Sequence, residues 1–430
     1  MENKKIKPTD ILILGFAVFA SYFGAGNLIF PPMLGLQSGT QWLGGMIGML
    51  ISGVGLPIAA ILILGKCGSV KAITDHVHPK FYTVFIGMIM ILCCCVSIPR
   101  TAAVGIEMGL QGVWEGAPYI PAVVIYFAIA FFFAKDRGSA LDKVGKILTP
   151  AMVIILFILV VKGVLDPIGT PAEPSFENPT ISSFLGGYST GDVLVSFLMA
   201  TVFFEAITRK GYTNEQFVKA NLGTGIIAAI CLAIVYGGLL FMGACVSGDF
   251  KAGEISNADL LLTVIRRSGG QIAIYGLCLS VVLACLTTAI GQITAVADFF
   301  EEATNKKLNY KILVVIVPVV TTLVACVGLD TIVSLTSQWF SFTYPIALVL
   351  MLLGLFQSII PNDGCYKGAT YFTVIYAVLD LPSQYGVHIG AIDAFLAKIP
   401  LYTLGFGWIV PAILGFIIGM IIYSAKKKTA

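Results

Sequence analysis

The first hydrophobic stretch of the chain is interrupted at residues 20–32, which read Ala-Ser-Tyr-Phe-Gly-Ala-Gly-Asn-Leu-Ile-Phe-Pro-Pro. Two glycines, Gly24 and Gly26, precede an amide, Asn27, and a pair of prolines follows. Glycine weakens the interior of a helix, and proline removes a hydrogen-bond donor and clashes with the preceding turn. The sequence therefore predicts that this helix is broken near its middle.

The composition places the broken helix in a membrane. Hydrophobic residues make up 57% of the chain and charged residues only 11%, about half the charged share of a soluble protein. The mean hydropathy is +0.93. A membrane-spanning helix needs about 20 apolar residues. Twelve stretches meet this requirement, at 11–37, 41–65, 81–111, 118–134, 144–164, 190–208, 221–246, 272–298, 311–327, 332–356, 369–385 and 403–424. We therefore expect an all-α polytopic membrane protein with a single transmembrane domain, residues 1–430.

The basic residues are distributed unevenly among the connections between these spans. With a cytoplasmic N-terminus, 20 of the 26 Lys and Arg residues fall in cytoplasmic segments and 5 in outer ones, while Arg100 lies inside a span. Loops rich in Lys and Arg are retained in the cytoplasm. We therefore expect both termini to be cytoplasmic in the cell membrane. The net charge of +3 follows from this asymmetry and does not indicate a nucleic-acid partner; the oligomeric state is left open.

A broken helix at membrane depth indicates a binding site. Each unpaired backbone group costs several kcal/mol in hydrocarbon, so unwound chain persists only where it lines a cavity or binds a ligand. The amides of Gly24, Ala25 and Gly26 would begin a half-helix, whose positive end suits a carboxylate. The preceding half-helix, ending near Ser21, would direct carbonyls that suit a monovalent cation. The pattern is typical of a secondary transporter that carries a zwitterion with an ion; a glycine kink used only for packing is the alternative.

The eighth span carries a second candidate element. Residues 284–291 read Ala-Cys-Leu-Thr-Thr-Ala-Ile-Gly, which places the hydroxyls of Thr287 and Thr288 in an apolar helix. Such hydroxyls can bond to carbonyls one turn earlier, or they can present oxygen to a small cation. Both interpretations remain open.

Several ionisable residues fall within or at the ends of the spans, where charge is costly and commonly functional. Arg100 and Glu107 are seven residues apart in the third span, which predicts a structural or gating ion pair on one helix face. Asp10 and Asp192 stand at the start of the first and sixth spans and are expected to cap them.

Glu205 lies one turn from the cytoplasmic end of the sixth span and has two interpretations. It can pair with Arg209, four residues later on the same helix face. It can also be a proton site or the partner of a cationic substrate.

The chain resembles the bacterial branched-chain amino acid:cation symporters, the BrnQ-type carriers, in six stretches distributed from end to end. They are Phe-Gly-Ala-Gly-Asn-Leu-Ile-Phe-Pro-Pro (23–32), Ile-Pro-Arg-Thr (98–101), Val-Gly-Lys-Ile-Leu-Thr-Pro (144–150), the 284–291 stretch, Tyr-Pro (344–345) and Pro-Leu-Tyr-Thr-Leu-Gly-x-Gly-Trp (400–408). The resemblance implies the LeuT-like fold, a five-plus-five inverted repeat in which helices 1 and 6 are discontinuous. Repeat one would cover about 11–164, repeat two about 190–356, and two accessory C-terminal helices about 369–424.

The resemblance also implies a function. The chain would be a transporter and not an enzyme, importing leucine, isoleucine and valine by alternating access across the bacterial cell membrane. Sodium would be the coupling ion, and no organic cofactor is expected. Its partners would be the amino acid and the lipid bilayer.

Site residues follow from the same resemblance. Sodium would lie between helices 1 and 8, held by the carbonyls of Ala20, Phe23 and Ala284 and the hydroxyls of Thr287 and Thr288. The substrate would contact Ser21, Tyr22, Gly24, Ala25 and Gly26 and, from the middle of helix 6, Phe197, Ala200, Thr201 and Phe204. An apolar pocket would be formed by Phe197, Met199, Val202 and Phe203. Coupling or gating candidates are Asn27, Arg100, Glu107 and Glu205.

Helix 6 departs from the family pattern. Members tend to have a glycine at the break and an asparagine soon after it, whereas this chain has Ala200 and Glu205 at the matching positions. The alternative function is therefore a proton-coupled carrier of another small aliphatic or polar amino acid.

Overall fold

The computed structural model describes residues 6–135 and 154–429, with side chains described as far as residue 425. Residues 144–153 of the predicted fifth span, and with them the 144–150 stretch, lie outside the described residues. The described chain is helical. Its helices are α1 Pro8–Tyr22, α2 Ala25–Ser38, α3 Trp42–Leu50, α4 Leu56–Cys67, α5 Val70–Thr74, α6 Phe81–Leu92, α7 Ile98–Val104, α8 Gln111–Val113, α9 Tyr119–Ala134, α10 Ile154–Leu165, α11 Pro179–Gly187, α12 Asp192–Arg209, α13 Asn214–Cys245, α14 Asn257–Ala303, α15 Tyr310–Ala325, α16 Leu329–Leu355, α17 Asp363–Gln384, α18 Gly390–Leu396 and α19 Ile409–Thr429.

Many of these helices are apolar enough for a bilayer. Within the described residues, five helical segments are long and apolar enough to cross a membrane: Ala25–Cys67, Phe81–Val113, Asn214–Cys245, Asn257–Ala303 and Leu329–Leu355. The bent pair Pro179–Thr190 and Asp192–Arg209 makes a sixth span if the two helices are taken together. Shorter apolar helices are Pro8–Tyr22, Tyr119–Ala134, Ile154–Leu165, Tyr310–Ala325 and Ile409–Ala425. The chain is thus a multi-pass membrane protein, and the count of twelve spans stays a prediction.

The first helix stops and restarts at the stretch that the sequence singles out. Helix α1 ends at Tyr22, Phe23 and Gly24 are extended, and α2 begins at Ala25. The Asn27 side chain accepts a hydrogen bond from the Gly24 amide at 3.1 Å, which begins the second half-helix. The two prolines, Pro31 and Pro32, lie inside α2 and do not interrupt it.

Helix 6 bends at Gly191, and the predicted position of its break is wrong. Helix α11 continues as a 3-10 turn, Tyr188–Thr190, and Gly191 then has a φ of 83°, a left-handed conformation that glycine adopts without strain. The axes on the two sides differ by 42°. Residues 197–204, where the break was expected, lie within the uninterrupted α12 because they contain neither glycine nor proline.

Three π-helical segments interrupt the regular helices of the described chain, at Ile51–Gly55, Cys93–Ser97 and Gly105–Leu110. The last two flank α7 within the third predicted span. A π segment inserts extra residues into a helix and rotates everything beyond it. Residues seven positions apart across Gly105–Leu110 therefore need not share a face.

The two C-terminal helices pack through glycines. A Cβ atom added at Gly364 or Gly368 of α17 would meet backbone atoms of Gly419 and Gly415 of α19, and the reverse holds as well. Small residues at such a crossing let two backbones approach closely. The Gly415-x-x-x-Gly419 stretch therefore joins α19 to α17 of the same chain.

We expect Gly368→Ala to destabilise the protein by about 1–3 kcal/mol, because the added methyl meets the Gly415 carbonyl and backbone cannot move aside as a flexible side chain would. Thermal unfolding of the purified protein in detergent measures the effect as a lower Tm. Gly291→Ala on α14 is the control, since a Cβ there has no neighbour within 4 Å among the described residues. Equal Tm values for the two variants would contradict the close crossing.

Candidate functional site

The two helix breaks lie side by side and are joined by a hydrogen-bonded cluster. The Asn27 side-chain nitrogen on α2 donates to both carboxylate oxygens of Asp192 on α12, at 3.1 and 2.9 Å. Tyr236 on α13 donates its hydroxyl to Asp192 Oδ2 at 2.9 Å and also contacts the Asn27 nitrogen. Asn27 is 2% and Asp192 1% exposed. Asp192 is therefore not the simple helix cap that the sequence predicts, because its carboxylate ties three helices together.

Arg100 on α7 fills the space on the other side of the two breaks. Its guanidinium donates to the carbonyls of Ser189 at 2.9 Å and Thr190 at 3.4 Å, which end the half-helix before Gly191. The same group lies against Gly26 and 5.5 Å from the centre of the Phe30 ring. The carbonyl end of a helix carries partial negative charge, so it suits a cationic group. Arg100 is only 4% exposed, and its Nε has no hydrogen-bond partner within the described chain.

The predicted ion pair between Arg100 and Glu107 is not formed, because the π-helical segment Gly105–Leu110 rotates Glu107 away. Glu107 instead accepts a hydrogen bond from the backbone N–H of Leu329, at the start of α16. Arg100 likewise forms no contact ion pair with Asp192, because its donors are directed to the carbonyls of Ser189 and Thr190. Glu107 is thus separated from Arg100, whereas Arg100 and Asp192 still attract each other across the cluster.

Glu205 and Asp10 both form ion pairs near one end of the bundle. Glu205 accepts from Arg209 at 3.0 Å, and both side chains are exposed, which matches the first of its two interpretations. Asp10 accepts from Lys210 at 3.0 Å and from the Tyr212 hydroxyl at 2.8 Å. Asp10 therefore links α1 to the segment after α12, in place of the helix cap that the sequence predicts.

A small cavity of about 40 Å³ lies next to Arg100 and Gly191. Its wall is mostly aliphatic or aromatic, with a polar end formed by Arg100, Thr190, Ser97 and Gln292. The Gln292 side-chain nitrogen donates to Ser97 Oγ at 2.9 Å, and its oxygen has no partner among the described residues. The apolar wall consists of Ile89, Leu92, Cys93, Leu194, Val195, Leu198 and Phe340. The lining thus combines one polar end with an apolar wall, around a space smaller than a whole amino acid.

A second, still smaller cavity of about 10 Å³ separates the helix 1 break from α14. It is bordered by residues from both elements: Phe23, Gly24, Ala25, Leu28, Val281, Ala284 and Cys285. Thr287 donates to the Ala284 carbonyl at 2.9 Å, the bond that a hydroxyl can make within its own helix. Thr288 is half-buried and makes no side-chain hydrogen bond within the described chain. The structure thus brings Phe23 and Ala284 of the predicted ion site together, and Ala20 is half-buried nearby on α1.

The remaining predicted substrate contacts divide into a buried group and an exposed group, and the buried group comes first. Tyr22 is buried and its hydroxyl pairs with Ser196 at 2.7 Å, while Ala25, Gly26 and Ala200 are buried as well. Phe197 packs on Phe85 and Phe204 on Phe217, with ring centres 5.3 and 5.4 Å apart.

Three residues of the predicted pocket do not face it. Ser21 is exposed and donates to the Ala17 carbonyl of its own helix. Thr201 is exposed and Val202 is 53% exposed, so both leave the interior. The reason is the position of the break, since α12 turns regularly through residues 192–209 and these two positions fall on its outer side.

A larger cavity opens at the surface of the bundle, at the end that bears the loops 166–178 and 247–256, and is named the outer cavity for that position. Its volume is about 580 Å³, and it reaches down to Phe30 and Ser189. Arg100 lies directly below, since its guanidinium contacts both of these residues. Phe30, Ser189 and Arg100 therefore separate the outer cavity from the two breaks.

Sequence reasoning missed Gly191, Asp192 as a site residue, and Tyr236. The signal for the first two is the run Ser-Thr-Gly-Asp at 189–192, four residues that favour turns and caps over helix interiors. Tyr236 lies in the middle of a long apolar helix and has no comparable signal.

Comparison with known proteins adds the family. A family profile described as branched-chain amino acid transport protein matches residues 7–426. The branched-chain amino acid permease BraB of Bacillus subtilis is 33% identical over 426 residues, covering 96% of this chain and 95% of the permease. The branched-chain amino acid transport system 2 carrier protein of Pseudomonas aeruginosa is 30% identical over 426 residues, covering 97% and 96%.

Solved structures resemble this one at lower identity. A Na+-coupled sialic acid symporter in a substrate-bound outward-open state is 15% identical, with a TM-score of 0.58 over 96% of this chain and 90% of the symporter. A manganese transporter of Eremococcus coleocola is 16% identical, with a TM-score of 0.59 over 97% and 95%. At these identities the likeness shows the fold, which is LeuT-like.

We expect Gly26→Ala to displace the Arg100 guanidinium, because a Cβ at this position would lie 2.8 Å from Nη2 and 2.9 Å from Cζ. Loss of the charge-assisted bonds to Ser189 and Thr190 should lower stability by about 2–3 kcal/mol, read as a fall in Tm. Gly24→Ala is the matched control, since its Cβ would have no neighbour nearer than 3.8 Å in the described chain. A Tm that falls as much in the control would show that Arg100 is not wedged against Gly26.

Proposed function

This chain belongs to the branched-chain amino acid transport protein family, and from that membership we propose that it imports leucine, isoleucine and valine by sodium symport. The family predicted from the sequence is thereby confirmed, and with it the conclusion that the protein is a transporter and not an enzyme. The observation that carries the proposal is the pairing of two helix breaks beside a cavity with an aliphatic wall. Broken helices at membrane depth are where such carriers bind their cargo.

The amino acid would lie between the breaks and the cavity. Its carboxylate would take the N–H groups at the start of α2, at Gly24 to Gly26, where the helix dipole favours an anion. Its ammonium group would take the carbonyls of Ser189 and Thr190, which end the preceding half-helix. Its side chain would enter the cavity between Leu194, Leu198 and the third span. Each methylene is worth only about 1–3 kcal/mol of discrimination, so several aliphatic amino acids should be accepted.

Sodium would bind in the gap between the helix 1 break and α14. The ligands proposed are the carbonyls of Ala20, Phe23 and Ala284 with the hydroxyls of Thr287 and Thr288. The gap of about 10 Å³ between Phe23 and Ala284 is about the space that one water molecule needs, which a small ion can use. Thr288 supports this assignment because its hydroxyl is not committed elsewhere within the described residues.

Alternating access would follow from the repeat architecture. We propose that residues 11–164 form the first inverted repeat. The second would cover 179–356 in place of the expected 190–356, because α11 and α12 form one bent unit. Helices α17 and α19 would be accessory. The termini would be cytoplasmic, so the outer cavity would face the medium.

Proton coupling is the second candidate. Glu205 is the residue on which the sequence based it, but Glu205 is an exposed partner of Arg209. That environment favours an ordinary surface ion pair, which contributes little energy.

Uptake of labelled leucine, isoleucine and valine into proteoliposomes tests the proposal directly. Accumulation should require an inward sodium gradient and should fail when potassium replaces sodium. Proteoliposomes that transport no branched-chain amino acid under any cation gradient would refute it.

We expect Leu198→Ala to widen the apolar cavity and to raise acceptance of methionine relative to valine by about tenfold or more in kcat/KM. Competition uptake measures the ratio. Val202→Ala, one turn later on the exposed face of the same helix, should leave the ratio unchanged. A shift in the control alone would mean that the cavity does not hold the side chain.

We expect Thr288→Ala to raise the sodium concentration for half-maximal uptake about tenfold, because the sodium ion loses one of its oxygen ligands. Thr294→Ala is the control on the same helix, since the Thr294 hydroxyl is bonded to the Ile290 carbonyl. The readout is the sodium dependence of leucine uptake. An unchanged dependence in Thr288→Ala would remove this residue from the ion site.

A further inference from the structure

Asp192 is a carboxylate in the core of the bundle, and no cation of the described chain lies at contact distance from it. It is 1% exposed, and its side-chain partners are the neutral groups of Asn27 and Tyr236. The basic residue on this side of the breaks, Arg100, directs its donors to the carbonyls of Ser189 and Thr190. Arg100 therefore attracts the carboxylate only from a distance. A buried charge that has hydrogen bonds but no counter-ion in contact is still costly, and this cost is relieved when the group is neutralised.

The ionisable groups that face Asp192 already carry their protons, so Asp192 is the group in this cluster that can take one up. They come from four different helices: Tyr22 on α1, Arg100 on α7, Tyr236 on α13 and Tyr344 on α16. Tyrosine and arginine keep their protons at neutral pH. A proton that enters this cluster therefore goes to the carboxylate.

We propose that Asp192 binds a proton that is carried together with the amino acid, and that Asn27 transmits the protonation state to the substrate site. The proposal rests on the transport function proposed above and adds a second coupling site to it. Asp192, Asn27 and Tyr236 contact one another directly, so a proton fits among them, whereas a metal ion would have to push them apart.

Asn27 can link the proton site to the substrate site because its side-chain nitrogen contacts one and its side-chain oxygen contacts the other. Its nitrogen donates to the Asp192 carboxylate, and its oxygen accepts from the Gly24 N–H. A protonated carboxyl group presents an O–H that needs an acceptor, and an amide nitrogen cannot accept. A half-turn of the Asn27 amide supplies its oxygen to that O–H and withdraws it from Gly24. The Gly24 N–H is then available for the substrate carboxylate.

The two ligands therefore favour each other. Proton binding frees a donor for the amino acid, and by linkage the bound amino acid strengthens proton binding to the same degree. The proton would enter from the outer cavity, which ends at Ser189, three residues before Asp192. One O–H bond forms at the carboxylate on loading and breaks on release to the opposite side, and nothing is oxidised or reduced.

The test compares Asp192→Asn with wild type in proteoliposomes at equal sodium on both sides. In wild type, an inward proton gradient should drive leucine accumulation severalfold above equilibrium, and leucine addition should acidify the lumen. The amide introduced by the substitution is neutral at all pH values, so the variant should lose both effects. Asp380→Asn is the matched control: this carboxylate on α17 is also buried, bonded to Gln384, and should keep proton-driven uptake.

A second variant keeps the proposal testable if Asp192→Asn does not fold. Tyr236→Phe removes a donor that favours the ionised carboxylate, so proton uptake becomes easier. The midpoint of the pH dependence of leucine binding should move to higher pH by about one to two units. An unmoved midpoint in this variant, or proton flux in Asp192→Asn equal to wild type, overturns the proposal.

The failure of this inference can be distinguished from failure of the proposed function. If wild type transports leucine on a sodium gradient and moves no protons, the Asp192 site is wrong and the carrier function stands. If wild type moves no protons and Asp192→Asn loses its sodium dependence, Asp192 binds sodium and the proposal that it binds a proton is wrong. If wild type does not transport leucine at all, the function proposed above fails first.

Discussion

Unpaired backbone at membrane depth must find its partners within the protein, and this constraint governs the centre of the molecule. Two non-helical stretches occur there, around Phe23 and Gly24 and around Gly191. The Gly24 N–H is satisfied by Asn27, and the carbonyls before Gly191 are satisfied by Arg100. Asn27 in turn holds Asp192, so the two stretches are stabilised by one connected set of bonds and cannot rearrange independently.

The break in helix 1 could be predicted because its cause is local. Gly24 adopts the extended backbone and Asn27 caps its N–H, and both residues are visible in the sequence. The adjoining prolines misled in part, since Pro31 and Pro32 are accommodated within α2. The composition was equally informative in predicting a membrane protein, because a lipid environment requires apolar residues along the whole chain and not only at single positions.

The break in helix 6 could not be placed by the same means. Hydropathy starts the sixth span near residue 190 because the preceding segment contains many Ser, Thr and Gly residues, yet α11 begins at Pro179. Asp192 was consequently assigned to a helix start at the membrane surface and not to the bundle core. The pairing of Arg100 with Glu107 failed for a related reason, since Glu107 lies inside the π-helical segment Gly105–Leu110. A prediction from sequence periodicity assumes a regular helix.

The position of Arg100 bears on how the carrier would exchange its empty and loaded states. The carbonyls of Ser189 and Thr190 now hold a guanidinium, and they are the acceptors that a substrate ammonium group would require. An amino acid bound as proposed would have to displace Arg100, and its carboxylate would offer the displaced guanidinium a bidentate partner close by. Lysine at this position could not make that forked contact. Under the proposed binding mode, the same carbonyls would hold a protein cation in one state and a substrate cation in the other, so they would have a cationic partner in both.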